Sequence, residues 1–323
     1  MVERAMNPRK KAVTFQNRDG RRLFGILHEP STGPASDIAF VLLPPGIKGR
    51  IAPHRLYNDL TDKLTARGHA VFRFDFWGLG DSEGEVEERE LRDLYTAVAL
   101  GRYVNDTRDA LDWLSRTCHL RHFVIGGLCG GAVTGILEAQ SDPRVVGILS
   151  IGLPVMLDSN PTDAWQYMTT GQLNDLGSRY VAKILSPQAW LRFLSFRTDY
   201  RLLLRSIRVR LGLEGPAPIV AAPPQQPVLN ANPHLPGAIL KLLARGTPML
   251  LLFSEADRLY WEFEEKFLSV YGHAFRAHAG TAEIRVIQAA NHVLTFKEWQ
   301  HDCFNLLGQW LEARFPASVP VAP

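Results

Sequence analysis

Val124-Ile125-Gly126-Gly127-Leu128-Cys129-Gly130-Gly131-Ala132 is the most informative stretch of the 323-residue chain. A short apolar run, 122–126, reads as a buried strand and leads directly into a helix of small residues, 129–140. At the junction the spacing is Gly-X-Cys-X-Gly. A turn of this kind holds a nucleophile on a strained backbone so that its side chain projects above a sheet. Side chains at the flanking positions would collide with the neighbouring strand and helix, which calls for glycine. The turn also places Cys129 at a helix N-terminus, where the positive end of the dipole favours negative charge on sulfur. Taken alone, the segment has a second, weaker reading as a small apolar cysteine packed at a glycine-rich turn.

Two stretches further along point towards chemistry. After the apolar run 249–253 comes Ser254-Glu255-Ala256-Asp257, and after the run 283–287 comes Gln288-Ala289-Ala290-Asn291-His292. A carboxylate and an imidazole just past strand ends can reach the rim where Cys129 stands. Nucleophile, acid, histidine is a recurring triad order. Glu255 and Asp158 compete with Asp257 for the role of acid. His301 is a poor rival to His292 because it falls inside the last helical segment. An oxyanion needs backbone N–H donors. One is Gly130, directly after the nucleophile; the other lies in Pro44-Pro45-Gly46-Ile47. The prolines have no N–H, which leaves Gly46 or Ile47, and Ile47 is the choice. Lys48 and Arg50 beside this loop read first as surface charge and second as ligands for an anionic part of a substrate.

The rest of the chain supplies the frame. Segments 12–16 and 23–28 flank an Asn17-Arg18-Asp19-Gly20 turn and read as a hairpin. Strand signals at 38–43, 70–76, 122–126, 145–151, 249–253 and 283–287 alternate with helical spacing at 54–67, 104–117, 129–140, 261–271 and 296–315. Such alternation predicts an α/β protein with a mostly parallel sheet and helices on both faces. Residues 155–246 break the pattern and read as a helical, basic, proline-rich lid insertion over the sheet edge, with 215–236 as linker or irregular loop. The core is then 1–154 with 247–316, and 317–323 is a frayed tail. Arg179, Lys183, Arg192, Arg197, Arg201, Arg205, Arg208 and Arg210 make the insertion basic; the plain reading is a solvated helix face, the sharper one a cradle for phosphate or carboxylate.

Composition closes off other classes. At 46% hydrophobic residues the chain is neither disordered nor collagen-like, and 36 basic against 33 acidic residues give no case for nucleic acid. The cysteines, Cys118, Cys129 and Cys303, form no CxxC pair and no metal-ligand cluster, so neither a metal nor an organic cofactor is expected. The charged stretch from Met1 to Lys11 is followed by no apolar run, and the longest apolar runs fall far short of the about 20 residues that span a bilayer. The expectation is a cytoplasmic protein without a transmembrane segment. The oligomeric state is not readable.

Leu43-Pro44-Pro45-Gly46, the stretch Phe74-Asp75-Phe76-Trp77-Gly78-Leu79-Gly80-Asp81-Ser82, the Cys129 turn, Asp257 and Asn291-His292 together make the chain resemble the α/β-hydrolase superfamily over most of its length. The resemblance implies the fold of that name, with Asp75 to Ser82 a structural turn after the fourth strand. More narrowly, Gly127-Leu128-Cys129 and residues 253–263 are similar to hydrolases encoded beside exosortase and exopolysaccharide systems. Cysteine at the nucleophile position also occurs in dienelactone hydrolases and polyhydroxyalkanoate synthases, so the resemblance leaves hydrolysis and acyl transfer both open. The expected function is an esterase or thioesterase working through Cys129, His292 and Asp257 and an acyl-thioenzyme, on a small-molecule acyl ester or thioester. An acyltransferase and a non-catalytic ligand-binding homologue are the alternatives.

Overall fold

The computed structural model describes residues 9–30, 36–157, 230–278 and 280–315. Eight strands form one sheet: β1 (Arg9–Gln16), β2 (Arg22–Glu29), β3 (Ile38–Leu43), β4 (Ala70–Phe74), β5 (His122–Leu128), β6 (Val145–Ile151), β7 (Met249–Ser254) and β8 (Ala282–Ile287). Their order is β1-β2-β4-β3-β5-β6-β7-β8. The β1–β2 hairpin and the β2–β4 pair are antiparallel, and every other pair is parallel. Parallel strands need covering crossovers. These carry α1 (Leu56–Ala66), α2 (Leu91–Ala99), α3 (Val104–Cys118), α4 (Gly130–Ala139), α5 (Leu235–Ala244), α6 (Arg258–Glu262) and a π-helical turn Phe263–Leu268 running into α7 (Ser269–Arg276); α8 (Lys297–Arg314) follows the last strand.

Strand alternation sorts the apolar residues onto two faces. Phe40, Leu42, Leu250 and Leu252 point to one face, where Leu60 and Leu64 of α1 and Phe304, Leu307 and Trp310 of α8 cover them. Val41, Leu43, Leu251 and Phe253 point to the other, beneath Val98 of α2, Leu111 of α3, Val133 of α4 and Leu242 of α5. β3 and β7 are buried nearly throughout, as central parallel strands covered on both sides must be.

Two helices differ from the sequence expectation. α2 carries no readable period because exposed Leu91 and Leu100 flank its few buried residues, Leu94, Val98 and Ala99. α5 falls where the sequence suggests the end of an insertion. Its Pro236 sits in the first helical turn, where a missing N–H costs nothing. Asn232, itself buried, accepts from Leu235 N at 3.2 Å and donates to the Ala99 carbonyl at 2.7 Å, starting the helix and tying it to α2. Leu235, Ala238, Ile239, Leu242 and Leu243 then enter the main core. The described chain leaves at Leu157 and resumes at Asn230 side by side, joined by an antiparallel bridge between Met156 and Ala231. Of the lid insertion expected at 155–246, residues 158–229, with the basic positions and Asp158, lie outside the described residues, as does the tail 317–323.

A core position for α5 has a measurable consequence. Leu242→Ala removes a fully buried side chain and is expected to lower the unfolding free energy by about 2–5 kcal/mol, read from urea denaturation. A change near zero would mean that α5 is not part of the folding core.

Candidate active site

Cys129 links the end of β5 to the start of α4 with φ 56° and ψ −118°. For a non-glycine residue this left-handed conformation costs about 1–3 kcal/mol and persists only where the surroundings enforce it. Here they do. A Cβ on Gly127 would lie 2.2 Å from the Gly131 carbonyl carbon, and one on Gly131 would lie 2.5 Å from the Leu43 carbonyl oxygen. The Cys129 N–H donates to Ile151 O at 2.9 Å, anchoring the turn to β6. Gly-X-Cys-X-Gly is thus a packing requirement, and its product is a half-buried thiol held above the strand ends.

Asp257 follows β7 and His292 follows β8. Their loops are laced together: Ala256 N donates to Ala290 O and Glu255 N to Ile287 O, both at 3.0 Å. The carboxylate of Glu255, the competing acid, accepts from Ala289 N at 2.8 Å, so it braces the histidine loop instead of facing the ring. His292 Nδ1 and Asp257 Oδ2 are 2.6 Å apart, with Asp257 buried. The other oxygen, Oδ1, accepts from Leu259 N at the start of α6, which fixes the carboxylate. Gly152, at the end of β6 with φ +58°, forms the floor: a Cβ there would lie 3.2 Å from the imidazole ring. No sequence reading singled out Gly152. Its signal in the sequence is a glycine directly after a strand, at the rim where Cys129 stands.

His292 Nδ1 faces Asp257, so Nε2 is left for Cys129. Burial disfavours the imidazolium. The hydrogen bond to Asp257, then the hydrogen bond and charge of Cys129 and the charge of Asp257, outweigh that and push His292 up to about 10. Cys303, by contrast, is a wholly buried thiol pushed up to about 12 by desolvation, and burial also raises Cys118.

Cys129, His292 and Asp257 line a cavity of ≈ 370 Å³ whose other walls are mainly apolar, from Val98, Ala99, Val133, Pro154, Met156 and Leu259, with Tyr95 and Arg258 at its edge. Gly130 also faces it and comes so near the β3 loop that a Cβ would lie 2.8 Å from Gly46 Cα. Gly46 N is already engaged with Pro44 O at 2.9 Å. Among the described residues nothing accepts from the N–H of Ile47 or of Gly130.

Lys48 and Arg50 are elsewhere. They line a separate, more open cavity of ≈ 510 Å³ with His54, Asp75 and Asp81. The Arg50 guanidinium binds the buried Asp75 carboxylate, reaches Asp81 at 2.7 Å and lies over the Phe24 ring. Asp75 also accepts from Arg50 N at 2.7 Å and Asp81 N at 3.1 Å. Gly80, φ +58°, would set a Cβ 2.3 Å from that carboxylate. Arg50 is therefore a strut of the turn after β4, and neither it nor Lys48 faces Cys129. Among the described residues no group of three or more His, Cys, Asp or Glu side chains is arranged to hold a metal ion.

The strand order, the turn at Cys129 and the acid and histidine after β7 and β8 define an α/β-hydrolase fold. Solved structures agree. An esterase from Pyrococcus furiosus, Pf2001, superimposes with TM-score 0.58 at 19% identity, covering 95% of this chain and 93% of that one. XC6422 from Xanthomonas campestris, an α/β serine hydrolase without lid, gives TM-score 0.52 at 13% identity, covering 96% and 97%. The esterase domain of a Rhodothermus marinus protein gives 0.53 at 19% identity, covering 94% and 99%. In sequence, the uncharacterized protein YfhR of Escherichia coli (strain K12) is 29% identical over 180 residues, 54% of this chain and 58% of that protein. The alignment thus spans little more than half of either chain. No protein-family profile matches.

The His292 shift predicts a pH dependence of stability. A folded-state value near 10 against an ordinary 6.5 means that the imidazolium's stabilising contribution is complete below pH 6.5 and is lost as pH rises through 10. The gap in urea midpoint between the parent protein and His292→Gln is expected to be widest near the lower limit and to narrow steadily above it. A gap that stays constant with pH would show that His292 carries no such linkage.

Proposed function

We propose that this protein is an acyl hydrolase acting on a small-molecule ester or thioester through Cys129, His292 and Asp257. The observation that supports it best is the meeting of these three side chains at one cavity, with the histidine hydrogen-bonded at 2.6 Å to a buried carboxylate. The apolar walls suit an acyl group. The esterases among the solved relatives share the fold and make ester hydrolysis the first chemistry to test. The narrower likeness, to cysteine-bearing hydrolases encoded beside exosortase and exopolysaccharide systems, is part of the proposal through Gly127-Leu128-Cys129. Among the described residues no helix is long and apolar enough to cross a membrane.

In this mechanism the Cys129 thiol gives its proton to His292 Nε2, while Nδ1–H donates to Asp257. The sulfur attacks the carbonyl carbon, and the carbonyl electron pair moves onto oxygen. The N–H groups of Gly130 and Ile47 receive that oxyanion. Collapse of the tetrahedral adduct expels the alcohol or thiol, which takes the proton from His292, and leaves an acyl-thioenzyme. His292 then removes a proton from water, hydroxide attacks the thioester, and the sulfur departs with its electron pair.

Acylation itself tunes the second half. Once the sulfur is esterified it no longer bears charge or hydrogen-bonds as a thiol, so that part of the pull on His292 disappears. The ring then moves down towards the neutral base that deacylation needs. An amine or alcohol in place of water would make the same intermediate a transferase, because a thioester is a better acyl donor to amines than an oxygen ester.

Intact-mass analysis after mixing with p-nitrophenyl acetate tests the reading. The expected result is one acetyl increment on the parent protein, absent from Cys129→Ala, with hydrolysis of that variant lower by at least about 1,000-fold. No acyl increment and no turnover on short- or medium-chain esters and thioesters would remove the enzymatic reading and leave a ligand-binding α/β-hydrolase homologue.

A further inference from the structure

Tyr57 is fully buried on α1, lines no part of the cavity and lies outside the chemistry described above. Its hydroxyl does something specific. It donates to the Leu43 carbonyl at 2.7 Å and accepts from Leu128 N at 2.7 Å. Leu43 is the last residue of β3, and Leu128 immediately precedes Cys129. Leu43 and Gly127 are the final register pair of β3 and β5. Beyond that pair the two strands part, one into the Pro44-to-Ile47 loop and the other into the nucleophile turn. Burial pushes the phenol up, so it stays protonated and can donate to one neighbour while accepting from the other.

A second observation concerns the loop that separates Leu43 from Tyr57. Ala52, His54 and Arg55 all adopt positive φ, at 60°, 52° and 60°. Three non-glycine residues in this region hold together only when the flanking structure over-determines them. The Tyr57 hydroxyl closes the loop back onto its own first residue, and Tyr57 N donates to Ile51 O at 3.2 Å within it. Ile47 lies in the same closed loop.

Resting on the acyl-enzyme reading above, we infer that Tyr57 is a positioning residue: its hydroxyl sets the spacing between the Ile47 loop and the Cys129 turn, and so the separation of the two N–H groups that receive the oxyanion. It touches no substrate and acts through the backbone at Leu43 and Leu128. The Cys129 turn and the imidazole also have anchors of their own, from Ile151, Asp257 and the β8 loop. Removing the hydroxyl therefore degrades the transition state's oxygen site while leaving sulfur–imidazole chemistry in place.

The test is Tyr57→Phe, measured beside the parent protein for p-nitrophenyl acetate hydrolysis, iodoacetamide alkylation of Cys129 and thermal unfolding. The expected result is a kcat lower by about 10- to 100-fold, with KM and the alkylation rate each within about twofold of the parent. A kcat within about twofold of the parent overturns the inference. So does a loss of alkylation in step with kcat, which would mark general structural damage. A parent protein that neither turns over nor alkylates faster than Cys118 overturns the acyl-enzyme reading itself, and this inference with it; that control separates the two failures. If Tyr57→Phe does not fold, 3-fluorotyrosine at position 57 keeps the hydroxyl but makes it a poorer acceptor for Leu128 N. It is expected to lower kcat by about threefold with KM unchanged, and an unchanged kcat counts against the inference.

Discussion

The approach of α4 to the end of β3 governs this molecule. With no side chain at Gly131, the helix backbone comes so near that an added Cβ would sit 2.5 Å from the Leu43 carbonyl oxygen. The same closeness recurs between Gly130 and Gly46 and between Gly127 and Gly131. These contacts force Cys129 into its left-handed conformation and aim the sulfur at the rim. They also bring the Gly130 N–H beside the loop that holds Ile47. The position of the Cys129 thiol and that of the Gly130 N–H, the proposed nucleophile and one proposed oxyanion donor, are thus products of one packing event. The cost of the strained residue, about 1–3 kcal/mol, is borne by a sheet core that is apolar on both faces.

The second layer is electrostatic. Asp257 is buried, has one oxygen committed to Leu259 N and offers the other to His292 at 2.6 Å. An imidazolium beside it is stabilised despite desolvation, and a nearby sulfur that can carry negative charge adds to that stabilisation. The two laced loops after β7 and β8 hold the geometry, with Glu255 as a brace and Gly152 as the floor against which the ring packs. Much of the machinery around the pair is backbone, which fits a site whose distances must not drift.

How much of this was legible in the sequence follows from where each signal is local. The β3 and β6 strands coincide with the apolar runs 38–43 and 145–151, and the hairpin, β7 and β8 fall within a few residues of expectation. That Cys129, Asp257 and His292 would meet at one rim was legible because each sits within a few residues of a strong strand signal. α5 was hidden by prolines that mark linkers in general but start a helix when placed in its first turn. α2 was hidden by exposed leucines that spoil its period. The structural part played by Arg50 was not legible, because its partner Asp75 lies twenty-five residues away in sequence and only the fold joins them. Tyr57 was invisible as anything but core, since a sequence cannot say that a phenol oxygen ends between two parting strands.

Whether Cys129 and His292 form one reactive pair is read from the rate of iodoacetamide alkylation at Cys129 near neutral pH, compared between the parent protein and His292→Gln. A reactive pair gives fast, selective labelling of Cys129 over Cys118 and Cys303 in the parent and a fall of at least about tenfold in the variant. Equal rates in the two proteins would mean that the two side chains do not act together.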